Sequence, residues 1–152
     1  MRVADILARK KLSALITIKP SESAGALSQL LKERRVGAAI VSEDGQTIDG
    51  IISERDLAFG LAARKAELHA IAVSELMTKA VITCTPNDDI AFVASTMLSR
   101  NIRHLPVQVD HRFVGMVSMR DVLSSRLDDL QQQNAQLRTF MHEISREPQD
   151  RE

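Results

Sequence analysis

Two short stretches of the chain carry the same arrangement of polar side chains. Gly50-Ile51-Ile52-Ser53-Glu54-Arg55-Asp56 and Gly115-Met116-Val117-Ser118-Met119-Arg120-Asp121 both read Gly-x-x-Ser-x-x-Asp. In each, an apolar run ends at the serine and passes into helix-forming residues. The serine hydroxyl and several backbone N–H groups then meet at a helix N-terminus, which suits an anion. The aspartate carboxylate one turn later is an acceptor beside them. The same spacing is that of a capping box, in which the side chains satisfy orphan N–H groups, and the two roles are compatible. A third feature is Arg103-His104, with Pro106 close behind. Arginine offers a rigid fork of donors to phosphate or carboxylate, whereas a histidine here is also compatible with an ordinary strand edge.

Nothing in the sequence calls for catalysis. His69, His104, His111 and His142 have no metal-ligand spacing with carboxylates or with the single cysteine, Cys84. No Gly-x-Ser-x-Gly elbow or phosphate loop occurs. A lone cysteine forms no internal disulfide and points to a reducing compartment, and Cys84 reads as a small buried strand residue. Twenty basic and twenty acidic residues cancel among 152, so no global field recruits nucleic acid or anionic membrane. There is no Trp, no Tyr and only four Phe, which leaves an aliphatic core and few stacking platforms for single-stranded nucleic acid. The charged N-terminus and the lack of a long apolar run argue against a signal peptide or a membrane span. The expectation is a non-enzymatic cytoplasmic protein.

The elements that must hold these residues repeat themselves. Val3-Ala4-Asp5-Ile6-Leu7 returns as Val73-Ser74-Glu75-Leu76-Met77, and Leu15-Ile16-Thr17 with Pro20 returns as Val81-Ile82-Thr83 with Pro86. Arg34 to Val41 aligns with Arg100 to Val107, and Gly50 to Leu57 with Gly115 to Val122. Four matched blocks in one order establish an internal duplication. Each copy predicts a strand (Leu15 to Ile18; Val81 to Cys84) and a helix capped within Ser21-Glu22-Ser23 or Asn87-Asp88-Asp89. The helices bury Ala24, Leu27, Leu30 and Leu31, or Ile90, Val93, Ala94 and Met97. Two more strands follow (Ala39 to Val41 and Ile48 to Ile52; Leu105 to Val109 and Phe113 to Val117), then a second helix from Glu54 or Met119. One copy of about 60 residues buries little surface alone. Two copies packed sheet to sheet about a pseudo-twofold axis are expected to bury more, and such an axis creates two equivalent clefts.

Residues 3 to 125, through both Gly-x-x-Ser-x-x-Asp motifs and Ile102-Arg103-His104-Leu105-Pro106-Val107, resemble a tandem cystathionine-β-synthase (CBS) domain pair of the stand-alone bacterial type. The resemblance implies an α+β fold of two β-α-β-β-α repeats, over residues 1–66 and 67–125. It further implies regulatory ligands containing adenosine, namely AMP, ADP, ATP, NAD or S-adenosylmethionine, bound in the clefts between repeats. From the family pattern, Ser53, Asp56, Thr83, Thr85, Arg103, His104 and Arg120 are expected to share one cleft. Ser118, Asp121, Thr17, Lys19, Gly37, Ala38 and Arg55 are expected in the other. Aspartate suits the two ribose hydroxyls, while Arg103, His104 and Arg120 suit phosphate. Because Gly37-Ala38 stands where the second copy has Arg103-His104, the Asp56 cleft is expected to favour a charged nucleotide. Arg9-Lys10-Lys11 reads as a solvated helix end, and Met77, Met97, Met116 and Met119 as core filler.

Beyond the repeats, Leu123, Leu127, Leu130, Asn134, Leu137, Met141 and Ile144 alternate spacings of four and three. This is a heptad seam with one polar member, predicted as a C-terminal helix over 126–145 that makes the protein a homodimer. Folding back of the helix on its own repeat is the plainer alternative. Residues 146–152 read as a flexible tail. The combined reading is a sensor that modulates a separate, unidentified protein. A ligand-free scaffold acting through the helix is the rival, and a nucleic-acid-binding regulator a weaker one.

Overall fold

The computed structural model describes residues 1–10 and 15–145. Lys11 and the 146–152 tail lie outside the described residues. Helix α1 (Val3–Arg9) leads into strand β1 (Thr17–Ile18), helix α2 (Ala24–Arg34), strands β2 (Ala38–Val41) and β3 (Gly50–Ser53), and helix α3 (Glu54–Arg64). A 3₁₀ segment (Lys65–Ala70) and helix α4 (Val73–Leu76) open the second copy. Helix α5 (Ile90–Arg100), strands β4 (His104–Val109) and β5 (Arg112–Ser118), and helix α6 (Met119–Ile144) complete it.

Both long repeat helices start and stop where their sequences direct. The Ser23 hydroxyl accepts from the Ala26 N–H, and the Asp89 carboxylate accepts from the Ala91 N–H, so each satisfies one orphan donor of a first turn. At the other ends Arg35 and Asn101 adopt left-handed conformations, with φ of 53° and 51°. That conformation closes the last turn and reverses the chain into the next strand. The apolar positions of each helix face a core of their own. Leu27 and Leu31 pack with Ile18, Ala39, Val41 and Ile52, and Ile90, Val93 and Met97 pack with Leu105, Val107 and Val117.

The leading helices cross over. Val3 and Ile6 of α1 are buried in the core of the second copy, and Val73 of α4 is buried in the core of the first. The hydrogen bonds repeat in kind: Val3 and Ala4 donate to Asp88 and Pro86 carbonyls, and Val73 and Ser74 donate to Glu22 and Pro20. A division of the chain at residue 66 therefore does not coincide with a division of the cores. Reciprocal exchange of this kind ties the copies together about a twofold relation. The motif glycines permit it. A Cβ on Gly115 would stand 2.7 Å from Leu7 Cδ2, and one on Gly50 would stand 2.6 Å from Met77 Sδ, so each glycine admits the helix that closes its sheet.

The sheets differ in size. The first has order β1-β2-β3, with β1 parallel to β2 and β2 antiparallel to β3; the second has only the antiparallel pair β4-β5. The strand expected over Val81 to Cys84 is a correction: it is reduced to a single bridge between Cys84 and Val107. The reason lies in its neighbour. In the first copy Ile40 donates to the Ile16 carbonyl, but the equivalent of Ile40 is Pro106, which has no N–H to offer Ile82. Cys84 N still donates to Pro106 O, and Gln108 N to Cys84 O. Burial, reinforced by Asp88, pushes the Cys84 thiol up to about 12, so it stays a neutral core group.

The hairpins also carry the contacts between copies. Asp110 and His111 both have positive φ, 48° and 63°, which gives the two-residue turn that fits twisted strands. The longer turn of the first copy is built on Asp44, whose carboxylate accepts from the N–H of Thr47, the N–H of Gln46, and the hydroxyls of Thr47 and Ser42. Those bonds, the Thr47 N–H first, hold Asp44 well below the usual carboxylate range. The turn so fixed presents the Gln46 carbonyl to the Phe113 N–H of β5, at 2.8 Å.

Candidate functional site

Where the hairpins meet, the backbone again repeats itself. Glu54 N donates to Gly37 O, and Met119 N donates to Arg103 O. Each bond joins a helix start to the residue just before the neighbouring strand, or at its edge. Strand register brings His104 opposite Ser118 and Ala38 opposite Ser53. Close approach across the axis brings Gly37 to His104: a Cβ on Gly37 would lie 3.3 Å from His104 Cε1.

A cavity of about 550 Å³ opens at this junction, within the size range of small-molecule sites. Gly37 and Ala38 supply its floor from the first copy, and Arg103, His104, Ser118 and Arg120 its wall from the second. Lys10, Lys32 and Arg35 stand at the cavity with a single carboxylate, Glu54. Leu15, Ile16, Val36, Phe113, Met116 and Met119 give it an apolar side. Five lysine and arginine side chains thus face one acid in a chain whose overall charge is zero. Such a concentration attracts a polyanion, and the apolar side accepts a flat ring.

The two serine-aspartate pairs cap their helices as their spacing predicts. Ser53 N and Ser53 Oγ both donate to Asp56 Oδ2, at 2.8 and 3.1 Å. Ser118 N donates to Asp121 Oδ2 at 2.8 Å, while Asp121 N donates to Ser118 Oγ at 3.2 Å. Asp121 Oδ2 has a further partner: Lys10 Nζ lies 2.6 Å away. The same ammonium donates to Met116 O at 3.0 Å. Burial of the His104 ring holds its pKa below the ordinary imidazole value, with Lys10 and Arg103 acting the same way against Glu54 and Asp121. His104 is therefore mainly neutral near pH 7 and serves as a donor or acceptor, leaving the positive charge to lysine and arginine.

The residues expected to share a cleft do not all line this cavity. Arg103, His104 and Arg120 line the cavity with Ser118, Gly37 and Ala38; Ser53, Asp56, Thr83 and Thr85 are not among its lining residues, and neither is Asp121, which is joined to the lining by its ion pair with Lys10. The physical reason is register: His104 is the cross-strand partner of Ser118 within one hairpin, so the charged edge travels with the second motif. The charge that was expected at Asp56 accordingly gathers at the Ser118-Asp121 end. Thr83 Oγ1 instead accepts from the Gln108 amide, and Thr85 N donates to Asp88. Thr17 and Lys19 line a separate shallow depression beside Ser42 and Asp44. Arg55 reaches across the copies to donate to Asn101 O at 3.1 Å, an anchoring role.

Sequence reasoning missed Lys10, Lys32, Arg35 and Glu54. Lys32 and Arg35 sit three apart at the end of α2, a signal that was available from helical spacing. Lys10 carried none, because its target lies 111 positions away and on the other copy. Met116 and Met119 line the cavity, whereas Met97 is core as expected. Among the described residues no cluster of His, Cys, Asp and Glu is arranged to hold a metal.

Comparison with known proteins accounts for the duplication. The CBS domain family matches residues 3–63 and again 73–128. The crystal structure of a CBS-domain-containing protein from Agrobacterium tumefaciens superposes with a TM-score of 0.79 at 32% identity, covering 83% of this chain and 99% of that one. The CBS domain pair of protein MJ0100, in complex with 5′-methylthioadenosine and S-adenosyl-L-methionine, superposes with a TM-score of 0.73 at 28% identity, covering 86% and 98%. An uncharacterised protein of Methanopyrus kandleri is 26% identical over 110 residues, 72% of this chain and 56% of that protein, so the chain spans about half of that relative's length. Matched twice in tandem, on a fold shared with solved pairs, the chain belongs to the CBS domain family.

Proposed function

We propose that the cavity at the repeat junction binds an adenosine phosphate, AMP, ADP, ATP or NAD, and that occupancy regulates a separate protein. The observation that carries this reading is the gathering of Arg103, Arg120, Lys32, Arg35 and Lys10 around the Ser118 helix start. Phosphate oxygens suit that cationic wall and the N-terminus of α6. The ribose hydroxyls suit Asp121, and the base suits the aliphatic side formed with Ile16 and Val36. A relative of the same family is complexed with adenosyl thio compounds, which supports the adenosyl part of the assignment. The charge supports phosphate over a sulfonium, because S-adenosylmethionine would bring its positive centre among five others. No helix among the described residues is long and apolar enough to cross a membrane.

The measurement is thermal melting of the intact chain with AMP, ADP, ATP, NAD and S-adenosylmethionine in turn. A ligand at a hundred times its dissociation constant stabilises the folded state by about 2.7 kcal/mol. The midpoint is expected to rise with the phosphate-bearing compounds and least with S-adenosylmethionine. A midpoint unmoved by all five leaves the scaffold reading in its place.

Regulation needs a way out of the cleft, and α6 provides one. It begins at the Ser118 cap that lines the cavity and runs unbroken to Ile144. Its first turn touches the core through Met119 and Val122, and Ser125 is its last buried residue. The seam residues Leu123, Leu127, Leu130, Leu137, Met141 and Ile144 are between 55% and 63% exposed. A helix folded back on its own repeat would bury them, so their exposure supports pairing between two copies of the chain. In this reading a ligand at the helix start shifts the pairing of the two α6 helices, and the partner protein senses that shift.

A further inference from the structure

The two aspartates of the repeated motif are not equivalent, and the difference is Lys10. Among the described residues Asp56 accepts from Ser53 alone, within its own capping box. Asp121 makes the same box and in addition holds the Lys10 ammonium at 2.6 Å. Continuing the alignment of Leu7 with Met77 places Ala80 opposite Lys10, so no residue matches Lys10 at the first motif, and no ion pair to Asp56 is found among the described residues. Lys10 does not wander into this position. It is the C-cap of α1, and α1 is pinned by Val3 and Ile6 in the second core and by Leu7 against Gly115. The side chains of Lys10 and Asp121 are only 32% and 18% exposed, so their attraction is weakly screened.

We infer that Lys10 is a specificity-determining residue, an internal counter-ion that makes the cleft select phosphorylated nucleotides over the corresponding nucleosides. This rests on the reading that Asp121 takes the ribose hydroxyls. Ser118 N and Lys10 Nζ both hold Asp121 Oδ2, so a nucleoside that engages both carboxylate oxygens with its two ribose hydroxyls displaces the ammonium, which then remains part-buried without an anion and at a cost. A nucleotide brings a replacement. Lys10 shares the cavity with Arg103, His104 and Arg120, so on leaving Asp121 it meets the same phosphate that they hold. The lysine exchanges one anion for another, and the exchange is open only to a ligand that carries one.

Isothermal titration of AMP and of adenosine into the intact chain, Lys10→Met and Lys10→Arg tests this. In the unaltered protein AMP is expected to bind at least about 100-fold more tightly than adenosine. In Lys10→Met, adenosine binding is expected to tighten and AMP binding to weaken, so that the ratio falls by about tenfold or more. Lys10→Arg keeps the charge and is expected to preserve the preference, a rescue that a purely structural role would not produce. An unchanged ratio in Lys10→Met, with AMP still bound, overturns the role of Lys10 and leaves the site intact. Failure of both ligands to bind the unaltered chain overturns the nucleotide reading and this inference together. Melting of Lys10→Met without ligand provides the folding control.

Discussion

Replacing Arg103 and Arg120 together by alanine is expected to raise the AMP dissociation constant roughly 100-fold, while adenosine affinity changes by less than about threefold. Both side chains are exposed and line the cavity wall, and neither takes part in the core. Each charge-assisted bond to phosphate contributes about 1.5–3 kcal/mol. Losing two removes about 3 kcal/mol or more, which is the stated factor at 1.4 kcal/mol per decade. Isothermal titration measures both constants, and melting of the ligand-free variant shows that the fold is kept. Equal loss for AMP and adenosine would mean that the arginines shape the cavity instead of holding phosphate.

The second large effect concerns the helix that leaves the cleft. Leu130→Glu with Leu137→Glu is expected to convert a dimer to a single chain, read as a halving of mass by light scattering. The two leucines are 58% and 62% exposed in one chain. Each loses about 1.5–3 kcal/mol of burial in the pair, and the introduced carboxylates face one another across the seam. Asn134 lies on the same line, where a paired asparagine fixes register at some cost. The repeats themselves are expected to melt as before, because the seam does not touch their cores. An unchanged mass would return α6 to the status of a solvated helix, with its apolar stripe reserved for the regulated protein.

The two effects are separable because the fold separates their residues. Arg120 is the second residue of α6 and Leu130 the twelfth, so one helix carries both a cavity-lining arginine and the exposed heptad stripe. The double arginine variant is expected to remain dimeric, and the leucine variant to retain the cavity. Coupling between cleft and seam then appears as a difference in dimer affinity with and without AMP, which linkage requires to be matched by a difference in AMP affinity with and without dimerisation.

Much of this architecture is legible in the chain. Helical spacing identifies Leu27, Leu31, Val93 and Met97 as core, and their burial follows from it. Ser23 and Asp89 act as caps because short oxygen-bearing side chains there have orphan N–H groups to meet. The lost strand around Cys84 was also written in the sequence, at Pro106, but its effect falls on a neighbour 22 positions away. Two features lie beyond a reading of repeats. Alignment shows that Val3 and Val73 are equivalent, yet it cannot say which copy each one enters, since equivalent surfaces accept either. The exchange is a property of connection and packing. Likewise, Arg103, His104, Ser118 and Arg120 of the cleft were each identifiable, but their grouping depends on register. His104 opposes Ser118 because a two-residue turn at Asp110-His111 and a bulge at Val107/Gln108 set the pairing of β4 with β5. A shift of one residue would have turned the imidazole to the opposite face. Lys10 is the extreme case, a solvated charge by every local criterion that finds its partner only through α1.

Crystals grown with saturating AMP test the central claim most directly. The expected result is one nucleotide at the repeat junction, its ribose hydroxyls within hydrogen-bond distance of Asp121 and its phosphate against Arg103 and Arg120. A junction holding no nucleotide under those conditions, or a nucleotide seated at Asp56 with Arg103 and Arg120 untouched, would contradict it.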